Sequence, residues 1–116
     1  MKYILLLTLA ALNLAAPDAT GTWRGMFTPA GRDPQPALLL LKQDGPRLTG
    51  SGGPDQEEQH PISNGKVEDG KITFQIQDVN LMEFDLKLDG DHITGTILRK
   101  REGQTDTATL DVTRAK

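Results

Sequence analysis

The sequence contains no cysteine, one tryptophan and only two histidines among its 116 residues. Without cysteine the chain can form no disulfide, has no thiol nucleophile and cannot carry a lipid on an N-terminal cysteine. A zinc site ordinarily needs three or four converging ligands, and no such spacing surrounds His60 or His92. No nucleophile, base and orienting group can be placed in one site either. We therefore expect no metal, no cofactor and no enzymatic activity.

Positively charged residues are outnumbered by negatively charged ones. Lys and Arg number 13 against 16 Asp and Glu, which gives a net charge of −3. Proteins that bind nucleic acid usually present a basic face, so we expect no nucleic-acid partner. The one basic cluster, Arg99-Lys100-Arg101, lies beside Glu102 and is typical of a solvated hairpin end.

The first sixteen residues have the layout of a secretory signal peptide. Lys2 provides a positive start, and residues 3–12 are apolar except for Thr8. The apolar stretch is short for a membrane span. Small residues follow, so we expect cleavage near Ala16 or Ala19.

The remainder, residues 17–116, is long enough for one domain and not for two. Cleavage of the leader would leave this domain secreted or periplasmic, with no membrane attachment. We expect it to be a monomer.

Apolar and polar residues alternate with a period of two through this domain, which predicts β-strands with one buried and one solvent-exposed face. In the first strand, Trp23 shares its face with Gly21, Gly25 and Phe27. Glycines beside a large ring suit the inside of a small barrel, where neighbouring backbones come close. No stretch shows the 3.6-residue period of a helix.

A turn pattern recurs along the chain. Lys42-Gln-Asp-Gly-Pro-Arg-Leu-Thr-Gly50 resembles Lys87-Leu-Asp-Gly-Asp-His-Ile-Thr-Gly95, and a shorter copy spans Glu68 to Thr73. Asp-Gly between alternating apolar residues is a strong hairpin signal, because glycine readily adopts positive φ. Three such turns predict three hairpins and at least six strands.

The full pattern predicts an all-β fold of eight antiparallel strands in an up-and-down barrel, with a two-sheet β-sandwich as the alternative. The predicted strands are 20–28, 36–43, 47–53, 59–68, 71–77, 80–88, 92–100 and 105–114. In a barrel, residues near Trp23 must pair with residues near Leu110, because closure joins the first strand to the last.

The fourth and second predicted strands depart from simple alternation. Ile62 and Val67 can both face inward only if a residue is inserted between them, and Asn64-Gly65 is the expected bulge. In the second strand, Ala37, Leu39 and Leu41 are assigned to the interior. Leu38 and Leu40 are then expected to form an exposed apolar patch.

These residues resemble the calycin-type barrels, the group that includes lipocalins, fatty-acid-binding proteins and avidins. The likeness rests on Gly21-x-Trp23, on Leu48-Thr-Gly50 after the first Asp-Gly turn, and on Arg114 at the end of the last strand. The chain is also similar to small exported bacterial domains of unknown role that begin with Gly-Thr-Trp. In lipocalins a basic residue near the C-terminus packs over the tryptophan. The resemblance therefore implies that Trp23 and Arg114 form a structural base.

Function follows from the barrel interior. An eight-stranded barrel is either filled by side chains or holds one small ligand, and both remain open. The candidate lining residues are Trp23, Phe27, Leu39, Phe74, Met82 and Phe84. Arg114 is the only polar side chain assigned inward, so we expect a non-catalytic binding module for a small apolar molecule. The alternatives are a protein-interaction domain, such as a periplasmic protease inhibitor, and an accessory barrel of secreted enzymes with a fully packed core.

Overall fold

Each alternating stretch forms one strand in the computed structural model, which describes residues 18–115. The strands are β1 (Gly21–Pro29), β2 (Gln35–Asp44), β3 (Arg47–Gly53), β4 (His60–Glu68), β5 (Lys71–Gln77), β6 (Leu81–Asp89), β7 (His92–Arg101) and β8 (Gln104–Arg114). Every bound lies within one residue of its predicted position. The predicted leader, residues 1–16, lies outside the described residues. Between residues 18 and 115, no helix is both long enough and apolar enough to cross a membrane.

The strands form a closed antiparallel barrel in which each pairs with its chain neighbours and β1 pairs with β8. Trp23 lies opposite Arg114, and Phe27 lies opposite Leu110. The predicted up-and-down barrel is confirmed, and the sandwich alternative is wrong. Closure is favoured because it leaves neither β1 nor β8 with an unpaired edge.

Gly25 allows β1 and β8 to approach closely. A Cβ atom at this position would collide with the main-chain oxygen of Asp111 and lie 2.7 Å from the Cα of Val112. Real side chains essentially never make contacts this short, so only glycine fits without moving the strands apart.

The three Asp-Gly turns lie at one end of the barrel, which we call the base. Asp69 and Gly70 both have positive φ, 51° and 79°, as a type I′ hairpin turn requires. In the other two hairpins the aspartate ends the preceding strand, and the glycine with the residue after it forms the turn. The opposite end, which we call the mouth, carries the loops 30–34, 54–59, 78–80 and 102–103.

The bulge in β4 is confirmed. The β4–β5 register shifts between Ser63 and Lys66, and Asn64 has φ 53°. The extra residue restores the inward phase, so Ile62 and Val67 both pack against the interior.

The apolar patch expected on β2 is wrong for Leu38. Leu38 lies outside the interior cluster, yet it is only 1% exposed, and Leu40 is half-buried. The loop 54–59 returns against the outer face here: Gln59 Nε2 donates to the carbonyl oxygen of Leu38 at 3.2 Å. The inward assignment of Ala37, Leu39 and Leu41 is confirmed, because all three belong to the buried interior cluster.

The interior is filled at the base. Trp23, Ile72, Ile93 and Val112 are all 0% exposed there. Higher in the barrel, the rings of Phe74 and Phe84 stack with centroids 4.4 Å apart. Burial of large apolar side chains on this scale is the main stabilising term, at about 1.5–3 kcal/mol each.

Candidate functional site

The base is closed around Trp23. Its indole Nε1 donates to the carbonyl oxygen of Ala19 at 3.0 Å, and the guanidinium carbon of Arg114 lies 4.4 Å from the ring centroid. Trp23 and Arg114 are directly opposite in the β1–β8 ladder, so the register that closes the barrel also brings them together. The contact expected between these two side chains is present. A contact of this kind contributes on the order of 0.5–2 kcal/mol.

Arg114 also binds the segment that leads into β1. Its Nη1 donates to the carbonyl oxygen of Thr20 at 2.5 Å, and its Nη2 to that of Asp18 at 2.9 Å. Its Nε donates to the Asp91 carboxylate at 2.8 Å. The planar guanidinium, with five N–H donors, can serve all three partners at once. Asp91 lies in a turn, and Asp18 and Thr20 lie before β1, so alternation within the strands does not predict these contacts.

A cavity of about 240 Å³ opens at the mouth. Most of its wall is apolar, formed by Phe27, Pro36, Ala37, Leu39, Ile76, Met82, Phe84 and Leu110. Four of the six lining candidates from the sequence therefore face it.

The other two candidates do not line the cavity. Trp23 closes the opposite end of the barrel, and Phe74 stacks against Phe84 without reaching the open space. The alternation of side chains along a strand assigned both residues to the interior, but it does not give their position along the barrel axis.

Polar side chains line the outer part of the cavity, and we call Glu58, His60 and Asp78 the rim. His60 Nε2 lies 3.6 Å from Oε2 of Glu58 and 3.8 Å from Oδ2 of Asp78. The imidazole is 30% exposed, against 64% and 49% for the two carboxylates. Among the described residues no Lys or Arg lines this cavity. Its lining is therefore net negative whether His60 is neutral or protonated.

Sequence reasoning missed the rim, and the expectation that Arg114 is the only inward polar side chain is wrong. Residues two positions apart in a strand share a face, and this rule could have found the rim. His60 precedes the inward Ile62 by two residues, and Asp78 follows the inward Ile76 by two. Ile62 and Ile76 pair across β4 and β5, so the same alternation brings His60 and Asp78 together. His60 lay inside the predicted strand 59–68 but was interpreted as a surface histidine, and Asp78 lies one residue beyond the predicted strand 71–77.

A second polar group lies on the β7–β8 side of the mouth. Arg99 and Arg101 each place Nη2 near Oδ2 of Asp106, at 3.3 and 2.8 Å. Burial by itself would raise the pKa of Asp106, but the hydrogen bonds and charges of Arg99 and Arg101 outweigh it and lower this pKa. Arg99 Nε is buried without a hydrogen-bond partner among residues 18–115. Both arginines are engaged with Asp106 and do not line the cavity.

Within residues 18–115, no group of three or more His, Asp or Glu side chains is arranged so that it could hold a metal ion. His92 contacts the Asp111 carboxylate at 2.5 Å, with both side chains largely exposed.

Fold and site together define a closed eight-stranded up-and-down β-barrel with a filled base and an apolar cavity under an acidic rim. No protein-family model, curated protein or solved structure matches this chain. The resemblance to calycin-type barrels stays a prediction from the sequence.

Proposed function

We propose that this protein is a non-catalytic binding module that holds one small apolar ligand in the mouth cavity. The observation that carries the proposal is the cavity of about 240 Å³ in a barrel whose base is occupied by Trp23 and Arg114. A cavity of roughly 150 Å³ holds benzene, whereas drug-sized pockets begin at about 300 Å³. The ligand is therefore one ring or a short chain.

The position of the lining residues supports the proposal. Most of the apolar wall stands on paired strands, so the sheet holds the cavity open before any ligand arrives. A pre-formed site loses little conformational entropy on binding. The residues that line the cavity determine its shape and its charge. No Ser, Thr, Tyr or Lys of the described residues is among them.

We further propose that the module acts as a monomer in the periplasm or outside the cell. The leader pattern in residues 1–16 supports export. The chain has no cysteine, so its stability does not depend on the redox state of the compartment.

A cavity-filling variant tests the binding site. A Cβ at Gly52 would lie 2.8 Å from Cδ2 of Leu39 and 3.3 Å from Cδ1 of Ile76, so Gly52→Leu places its side chain in the cavity. We expect 2-phenylethanol and n-hexanol to shift amide signals of cavity residues in NMR titrations of the wild type. In Gly52→Leu these shifts should be lost.

Thr107→Leu is the matched control, because it adds the same side chain on the exposed outer face near the mouth. It should bind both probes like the wild type. Thermal unfolding of each variant shows whether the barrel is intact. If neither probe shifts cavity residues of the wild type, the binding module is wrong, and a protein-interaction or accessory role takes its place.

A further inference from the structure

We propose that the ligand of the mouth cavity carries a positively charged head group, a primary amine on an apolar body. The proposal rests on the proposed function, since it names the ligand class of the same site. Cavity and rim present two distinct surfaces to a ligand: an apolar wall inside and the carboxylates of Glu58 and Asp78 at the opening.

The rim carboxylates are only loosely paired. His60 is the one basic side chain of residues 18–115 within 4 Å of either, at 3.6 and 3.8 Å, which is beyond hydrogen-bond length. Neither carboxylate is drawn into a short ion pair like that between Arg101 and Asp106 at 2.8 Å. Their oxygens are therefore available to an incoming donor.

Charge at the opening selects against anions. Glu58 and Asp78 line the cavity, and no Lys or Arg of residues 18–115 lines it with them. A carboxylate ligand with its apolar end inside would place like charge beside the rim, whereas an ammonium group would place opposite charge there. The rim is half-exposed, so each pairing is worth only about 0.2–1 kcal/mol, up to about fivefold in affinity.

Three probes of matched shape test the head group: 2-phenylethylamine, 2-phenylethanol and 3-phenylpropionate. We expect the amine to bind on the order of tenfold more tightly than the alcohol, from two such pairings, and the acid to bind most weakly. Since these charges are exposed, raising the salt from about 0.01 M to 0.5 M should remove most of the preference for the amine.

Glu58→Gln and Asp78→Asn should each lower amine affinity severalfold and leave alcohol affinity unchanged. Glu57→Gln is the control, because Glu57 neighbours Glu58 on the same loop but does not line the cavity. Equal or tighter binding of the acid would overturn the amine head group and leave the apolar site standing. Binding of none of the three probes would overturn the proposed function itself.

The segment before β1 is held at the base, and its contacts bear on where the leader is cleaved. Ala19 is 0% exposed at the base, its N–H donates to Gln43 Oε1 at 2.9 Å, and its carbonyl accepts from Trp23. The carbonyl of Asp18 accepts from Arg114. The segment Asp18–Thr20 is therefore part of the base and not part of a disposable leader.

We infer that signal cleavage falls before Asp18, near Ala16, and not after Ala19. A cut after Ala19 would remove all three of these hydrogen bonds. It would also create an ammonium group on Thr20, whose carbonyl lies 2.5 Å from Arg114 Nη1, so two positive charges would meet at the base.

Expression with the native leader, followed by intact mass measurement of the exported protein, tests the inference. The expected mature chain begins at Pro17 or Asp18. A form that begins at Thr20, or one that keeps Met1, would overturn it. Recombinant chains that start at Pro17 and at Thr20 provide a second measurement: the longer chain should have the higher Tm, and equal Tm values would also overturn the inference.

Discussion

At the scale of single residues, Trp23 and Arg114 hold the base together. One fills it, and the other covers the ring while it binds the chain before β1. The two contributions differ in kind, since the indole acts mainly through its volume, with one hydrogen bond to Ala19, and the guanidinium acts through charge and hydrogen bonds.

A double-mutant cycle separates these contributions. Trp23→Ala should cost about 3–5 kcal/mol because of the cavity it leaves. Arg114→Ala should cost less, about 1–2 kcal/mol. In the Trp23→Ala background the Arg114→Ala cost should fall, because only the hydrogen bonds remain to be lost. Urea unfolding of the four proteins measures the coupling, and fully additive losses would show that ring and guanidinium do not interact.

Asp106 makes stability depend on pH in the acid range. Its pKa is lower in the folded protein than the ordinary value of 3.8, so its contribution is fully present above that value. The contribution is lost as the pH falls through the lowered pKa. Asp106→Asn should reduce stability at pH 7. It should also make the decrease in stability between pH 7 and pH 2 smaller than in the wild type. Thermal unfolding from pH 7 to pH 2 measures both effects, with the exposed loop variant Asp33→Asn as a control that should follow the wild type.

At the scale of elements, β2 shows how a loop changes the role of a strand face. Parity places Leu38 and Leu40 on the same outer face, yet the loop 54–59 returns beside Leu38 and leaves it 1% exposed. A leucine on the outside of the barrel has thereby become part of a buried contact.

The two leucines form a matched pair of variants. Leu38→Ala should cost about 2–4 kcal/mol, as for a buried leucine, whereas Leu40→Ala should cost under about 1.5 kcal/mol. Denaturant unfolding compares the two directly. Equal costs would mean that the loop does not protect Leu38 in solution.

At the scale of the whole molecule, closure decides the fold, and Gly25 is its most sensitive point. Gly25→Ala would drive a methyl group into the main chain of β8, so we expect a loss of about 1–3 kcal/mol and faster amide exchange in β1 and β8. Thr113→Ala, on the exposed face of β8, should cost under about 1 kcal/mol and leave exchange unchanged. Unaltered exchange in Gly25→Ala would indicate that the two strands are not held together so closely.

Alternation and turn chemistry determined the strands of this protein without help from tertiary structure. Side-chain phase in a strand is local, because successive residues point to opposite faces, and Asp-Gly turns set where strands reverse. The phase defect between Ile62 and Val67 predicted the β4 bulge for the same reason. Four of the cavity residues, Phe27, Leu39, Met82 and Phe84, also followed from phase.

Only the tertiary structure decided which end of the barrel is open and what surrounds the opening. The contact of His60 with Asp78 depends on the β4–β5 register, and the position of Glu58 depends on how the loop 54–59 folds back. The burial of Leu38 and the binding of Asp18 by Arg114 depend on segments without any period. Such contacts join residues far apart in the chain or in irregular loops, and a repeat of two residues describes only the strand in which it occurs.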